Sequence, residues 1–210
     1  MSNFDEIALL VQKGKAKDVV VAVQDAIDAG VPAQQILDDG LLSGMAVVGE
    51  KFKNNQVFVP EVMIAAKALN SGVELLKPLL AQEGARSIGK VVICTVEGDL
   101  HDIGKNLVKL MLEGAGFDCY DLGPDAKADA IIAKIKEVDA EILAMSAMLT
   151  TTMGQMGVVI EALKAAGLRD SVKVMVGGTP ITEKFRQDIG ADSFAIDAAS
   201  AAVAAVELVA

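Results

Sequence analysis

Val91-Val92-Ile93-Cys94-Thr95-Val96, followed at once by Glu97-Gly98-Asp99-Leu100-His101-Asp102-Ile103-Gly104-Lys105-Asn106, is the stretch on which the fold turns. A short β-branched apolar run reads as a buried strand, and the polar, glycine-bearing segment behind it as a strand-to-helix turn. The pattern then repeats. Further apolar runs at 117–122 (FDCYDL), 141–147 (EILAMSA), 172–178 (VKVMVGG) and 193–196 (SFAI) alternate with helical stretches. Such alternation predicts an α/β domain with a parallel five-stranded sheet covered on both faces, Rossmann-like in the flavodoxin manner. Ligands of open parallel sheets bind outside the carboxyl ends of the strands, near the switch in strand order, so the loops after the first, third and fourth strands carry the information.

Upstream of 91 the periodicity is helical. Helices are expected at 4–13 and at 16–29, the latter closed by Gly30. Another starts near Pro32, with Ile36, Leu37, Leu41, Leu42, Met45, Val48 and Phe52 at helical spacing. After the polar turn KNNQVF (53–58), Pro60 opens a fourth, with Val62, Met63, Ala66, Leu69, Val73, Leu76 and Leu80 as one stripe. Four amphipathic helices predict a small bundle. QEGARSIGK (82–90) loses periodicity and reads as a linker, which gives two domains, a helical bundle cap at 1–86 and an α/β domain at 87–210.

Composition excludes several functions. The 210 residues carry a net charge of −10 and one histidine, which disfavours a nucleic-acid partner. Mean hydropathy is +0.44, yet no apolar run approaches the roughly 18 residues of a spanning helix, so no membrane partner is expected. The start MSNFDEIALL lacks the basic and apolar regions of a secretion signal, and a cytoplasmic location is the expectation. Cys94 and Cys119 lie in strand-like runs without CxxC spacing and read as core thiols.

His101, at a strand's carboxyl end between Asp99 and Asp102, has three readings: metal ligand, general base, or polar loop residue. Zinc is disfavoured because it wants three or four ligands and no second histidine exists. A serine hydrolase is disfavoured because no G-x-S-x-G elbow is present. One imidazole suits a metal that arrives in a macrocycle, with Asp99 orienting the ring. Ser146, Thr150, Thr151 and Thr152 cluster hydroxyls after the third strand, and helix capping explains one hydroxyl but not four. Gly177 and Gly178 follow the fourth, where missing side chains let a ligand reach the backbone.

Together these residues resemble the cobalamin-binding signature DxHxxG, SxL, GG. Asp99 to Gly104 is followed by 41 residues, then Ser146-Ala147-Met148, then 28 residues, then Gly177-Gly178. Met148 stands where the family usually has Leu, a volume-conserving change. The helical half, through Gly44-Met45, Val48-Gly49, Phe52 and Phe58-Val59-Pro60-Glu61-Val62, resembles the cap in front of this module in methionine synthase and in corrinoid proteins of methyltransferase systems serving methanol, methylamines, glycine betaine or methoxyarenes.

The resemblance implies a cobalamin or related corrinoid, with His101 as lower cobalt ligand and a His101–Asp99–Thr152 chain that moves a proton as the cobalt changes coordination. It implies that Gly98, Leu100, Asp102, Ile103, Gly104, Met148 and Ala198 line the cofactor with Ser146, Thr150, Gly177 and Gly178, the last four flanking the nucleotide tail. It also implies that Phe58 and its neighbours near Val62 shield the reactive face. The implied role is a methyl carrier, not catalytic alone, between a substrate-specific methyltransferase and an acceptor methyltransferase using tetrahydrofolate or coenzyme M, with a corrinoid-reactivating reductase as a further partner. The rivals are the small subunit of an adenosylcobalamin mutase, which does not need the cap, and a cobalamin-dependent regulator, for which no basic recognition helix is seen. A flavodoxin-like or response-regulator module on a bundle leaves His101, Ser146 and Gly177 unexplained.

Overall fold

The computed structural model describes residues 3–83 and 87–210. Contacts divide the chain into two units, Met1–Arg86 with Gly114–Gly116, and Ser87–Glu113 with Phe117–Ala210.

In the first unit, apolar residues at helical spacing build α1 (Asn3–Gln12), α2 (Ala16–Asp28), a run made of α3 (Ala33–Gln35), a π-helical stretch (Ile36–Leu42) and α4 (Ser43–Lys53), and α5 (Val59–Glu83). Three expectations change here. The helix from Pro32 is broken by the π stretch, which simple periodicity misses because Ile36 and Leu41, like Leu37 and Leu42, are five apart and suit either winding. Met63 lies off the buried stripe and is exposed, while Val62, Ala65, Ala66, Leu69 and Leu76 are buried. Gln82 and Glu83 continue α5 rather than beginning a linker, and residues 84–86 lie outside the described residues.

The bundle is held by close apolar contact. Ile7, Val11, Val19, Val23, Ile36, Leu41 and Leu69 are buried, each contributing roughly 1.5–3 kcal/mol relative to exposure. Gly44 is required for the approach of α4 to α1, because a Cβ there would stand 2.7 Å from the carbonyl oxygen of Ala8.

The second unit contains β1 (Lys90–Thr95), α6 (Ile103–Gly114), β2 (Asp118–Asp121), α7 (Ala128–Val138), β3 (Ile142–Ser146), α8 (Gly154–Ala165), β4 (Lys173–Gly177), α9 (Glu183–Ile189), β5 (Ser193–Ala195) and α10 (Ala198–Val209). All strand pairs are parallel, in the order β2-β1-β3-β4-β5. The strand order reverses between β1 and β3, which is where such a sheet opens a crevice for ligand. Register brings Thr95, Ser146, Gly177 and Ala195 into one row across four strands, so the loops after them start at a common level. Val92, Cys94, Leu143, Met145, Val174 and Val176 pack with Ile131, Ile135, Ile160 and Leu163 of the covering helices. Among the described residues, no helix is long and apolar enough to cross a membrane.

Candidate functional site

At the carboxyl end of β1 the chain turns through Gly98 and buries the carboxylate of Asp99 completely. Five donors converge on that carboxylate: Oδ1 accepts from the His101 backbone N–H (3.0 Å) and ring Nδ1 (2.8 Å), and Oδ2 from Met148 N–H (2.8 Å), Leu149 N–H (3.3 Å) and the Thr152 hydroxyl (2.7 Å). Burial alone would raise the pKa of Asp99. The hydrogen bonds, led by the two backbone amides, outweigh it and hold the carboxyl well below the usual carboxylate range. An ionised Asp99 only accepts, so Nδ1 of His101 carries a proton, and in the neutral ring the lone pair falls on Nε2. The side chain of His101 is 54% exposed. The ring therefore stands at the sheet edge, anchored on one nitrogen and open on the other.

His101, Asp99 and Thr152 thus form one hydrogen-bonded chain across the β1 and β3 loops. Around it lies an exposed apolar rim, with Leu100 72% and Ile103 80% exposed and Met148 and Leu149 also open. Gly104 is exposed, and a Cβ built on it meets nothing within 4 Å. Asp102 accepts from Asn106 Nδ2 (3.2 Å).

Ser146 ends β3, and Thr150 is exposed in the following turn. Of the clustered hydroxyls, Thr152 alone turns inward, and α8 has no side-chain cap, so helix capping does not account for them. Gly178 has φ +119°, and a Cβ there would lie 1.9 Å from the carbonyl oxygen of Ala147, so glycine is what lets the β3 and β4 loops meet. The Thr179 hydroxyl donates to Met148 Sδ (3.1 Å) between the same loops. Ala198 is buried at the start of α10, behind the capping side chain of Asp197. Phe58 belongs to the helical unit, where it is 62% exposed ahead of α5 and its N–H donates to Glu61 (3.0 Å). Cys94 and Cys119 are free thiols, and burial pushes each up to about 12.

Several residues that build this site were not singled out from sequence. Asp125, itself at φ +56°, accepts from Gly98 N–H (2.7 Å) and donates its own N–H to the Asp99 carbonyl (3.0 Å). Buried Thr95 donates its hydroxyl to the His101 carbonyl (3.2 Å). Lys105 is buried against Asp121. A positive-φ aspartate beside Pro124 is a turn signal visible in sequence, whereas the Lys105–Asp121 pairing joins α6 to β2 and leaves none.

Among the described residues, no group of three or more His, Cys, Asp or Glu side chains is placed to hold a metal ion. A metal at His101 must bring its other ligands with it. The open Nε2, the flat apolar rim and the vacant space at Gly104 fit a large planar macrocycle that carries its own metal. Comparison with known proteins agrees. A B12 binding domain model matches residues 89–207, and a second B12 binding domain model matches 4–77. This chain belongs to the B12-binding corrinoid proteins.

The corrinoid protein is 44% identical over 195 residues to dimethylamine corrinoid protein 1 of Methanosarcina acetivorans, covering 92% of each chain. It is similar in structure to the methanol:cobalamin methyltransferase complex of Methanosarcina barkeri, with TM-score 0.87 and 32% identity over 97% of this chain and 78% of that one. A cobalamin-binding protein from Desulfitobacterium hafniense matches with TM-score 0.79 and 34% identity over 99% and 98% of the two chains. The cofactor of the corrinoid protein is accordingly cobalamin or a related corrinoid.

Proposed function

We propose that this corrinoid protein is the methyl carrier of a methyltransferase system, loaded by a substrate-specific methyltransferase and unloaded by a second one onto tetrahydrofolate or a thiol such as coenzyme M. The observation that supports this most is His101, whose Nδ1 is tied to a buried carboxylate while Nε2 stays open. A bound corrinoid supplies a cobalt centre that takes up a methyl group as a nucleophile and yields it as an electrophile.

The chain supplies orientation and proton control. Asp99 holds the imidazole in one tautomer, with Nε2 directed outward. Five donors favour the ionised carboxylate, so Asp99 accepts from the ring and does not take its proton. Thr152 keeps Oδ2 occupied in either state of the ring. Leu100, Ile103 and Met148 are exposed apolar surface beside the ring that a bound corrinoid would cover, and water would then be kept from the ring's surroundings. Ser146, Thr150, Gly177 and Gly178 are assigned to the nucleotide tail. Residues 1–86 are assigned the role of the cap, and within that unit Phe58 and Met63 are exposed apolar side chains available for it. The carrier works in the cytoplasm, with a corrinoid-reactivating reductase as third partner. The relative named for dimethylamine is more similar in sequence than the methanol complex, so a methylated amine is the donor class to test first.

The test is reconstitution with cobalamin under reducing conditions, with visible spectra of the wild type beside His101→Ala. Stoichiometric uptake with a histidine-ligated cobalt signal that is lost in the variant supports the reading. Failure of the wild type to take up corrinoid overturns it.

A further inference from the structure

Among the described residues the buried polar side chains are Thr95, Asp99, Lys105 and Thr152. Three of them bind His101 directly or through Asp99. The fourth, Lys105, has no part in the scheme so far. It is 2% exposed in the first turns of α6, and its ammonium spends all three protons: on Asn106 Oδ1 (2.7 Å), Asp121 Oδ1 (2.7 Å) and Asp121 Oδ2 (2.6 Å).

Two hydrogen-bonded paths run from that ammonium to the histidine. On one, Asn106 donates its backbone N–H to the Asp102 carbonyl (2.8 Å) and Nδ2 to the Asp102 carboxylate (3.2 Å), which fixes the residue next to His101. On the other, Asp121 accepts Gly123 N–H (2.8 Å) and the Gly123 carbonyl accepts Thr95 N–H (3.0 Å). The Thr95 hydroxyl then donates to the carbonyl of His101 itself (3.2 Å). We infer that Lys105, through its Asp121 bridge, is a positioning residue that fixes the loop presenting His101.

Stability alone does not call for a charge here. Desolvating a lysine is costly, and an apolar side chain of similar length generally serves a core as well or better. What the ammonium adds is direction, since it ties the start of α6 and the end of β2 to one point. The inference rests on His101 being the ligand for cobalt, and its test separates the two.

His101 is the chain's only histidine, so its ring nitrogens give an unambiguous NMR signal in the protein without cofactor. Under basic conditions, where the imidazole is neutral, the wild type is expected to show the Nδ1–H tautomer. Lys105→Met is expected to shift the ring nitrogens toward the Nε2–H form. After loading with cobalamin, the variant is expected to lose part of the histidine-ligated absorbance while still retaining corrinoid. A folded Lys105→Met protein with wild-type ring-nitrogen shifts overturns the inference, whatever its melting temperature. If Lys105→Met does not fold, Asp121→Asn takes its place: it keeps an acceptor for Gly123 and removes the charge, and unshifted ring nitrogens overturn the inference in the same way. If the wild type takes up no corrinoid but the tautomer still shifts, the carrier reading falls and the positioning role of Lys105 stands.

Discussion

The two units are held together by different physics. Among the described residues, those buried in the helical unit are apolar, and α1, α2, α4 and α5 meet through side-chain shape, with Gly44 allowing one backbone to touch another. In the α/β unit an ordinary apolar core lies under the sheet, and the four buried polar side chains among the described residues gather at its carboxyl edge. Apolar packing tolerates sliding and volume-conserving exchange. A satisfied polar network does not, because each donor left without a partner costs roughly 1–3 kcal/mol. The lesson is that the α/β unit spends its directional bonds where one imidazole must be aimed, and the helical unit has no such demand.

The sharpest way to break this contrast is a pair of destabilising substitutions with different consequence. Leu69→Ala in the bundle should destabilise by about 3 kcal/mol through the cavity it leaves. Asp99→Ala should cost at least as much, because five donors lose a buried acceptor. Chemical denaturation measures both. Only Asp99→Ala should abolish the Nδ1–H tautomer of His101 and the histidine-ligated cobalt spectrum. Equal spectral effects from the two variants would erase the distinction between the units.

Acid is the next lever. Burial would raise the pKa of Asp121, but its hydrogen bonds from Lys105 and Gly123 and the nearby lysine charges hold it below the ordinary value. Its carboxylate therefore contributes stability that is present above the unfolded value near 3.9 and is lost as pH falls through the lower folded value. Asp99 acts in the same sense. As pH falls below about 4, the amide protection factors at Met148 and Gly123, whose N–H groups these two carboxylates accept, should fall before those in the bundle core around Leu41 and Leu69. Simultaneous loss of protection in both units would remove the carboxylates from the account.

How much of this was readable beforehand follows from the range over which each signal acts. The strands and the His101 loop were legible because a β-branched run and a polar turn are local, and Thr95, Ser146 and Gly177 fall where their runs end. The π stretch was hidden because Ile36 with Leu41 satisfies two windings at once. The Lys105–Asp121 bridge and the Asp125 contact to Gly98 were hidden for another reason. They join residues 16 and 27 positions apart, and only the strand pairing brings them together. Residue type singled out His101, and topology decided what holds it.

Met148 offers the finest test, at the one motif position where this chain departs from the usual leucine. Its sulfur accepts from Thr179 (3.1 Å) and so links the β3 loop to the β4 loop, a bond leucine cannot make. Thioether sulfur is a weak acceptor, and Leu for Met conserves volume, so Met148→Leu should change stability by less than about 1.5 kcal/mol. Asp99 is held partly by the Met148 backbone N–H, which the substitution leaves in place, so the His101 tautomer and the cobalt spectrum should not move. What should move is the exchange rate of corrinoid. With the link removed, the β3 and β4 loops separate more easily, and release of cobalamin from Met148→Leu should be modestly faster than from wild type under competition with free cobalamin. An unchanged release rate would mean that Gly178, whose close approach to Ala147 joins the same loops, holds them without help from the sulfur.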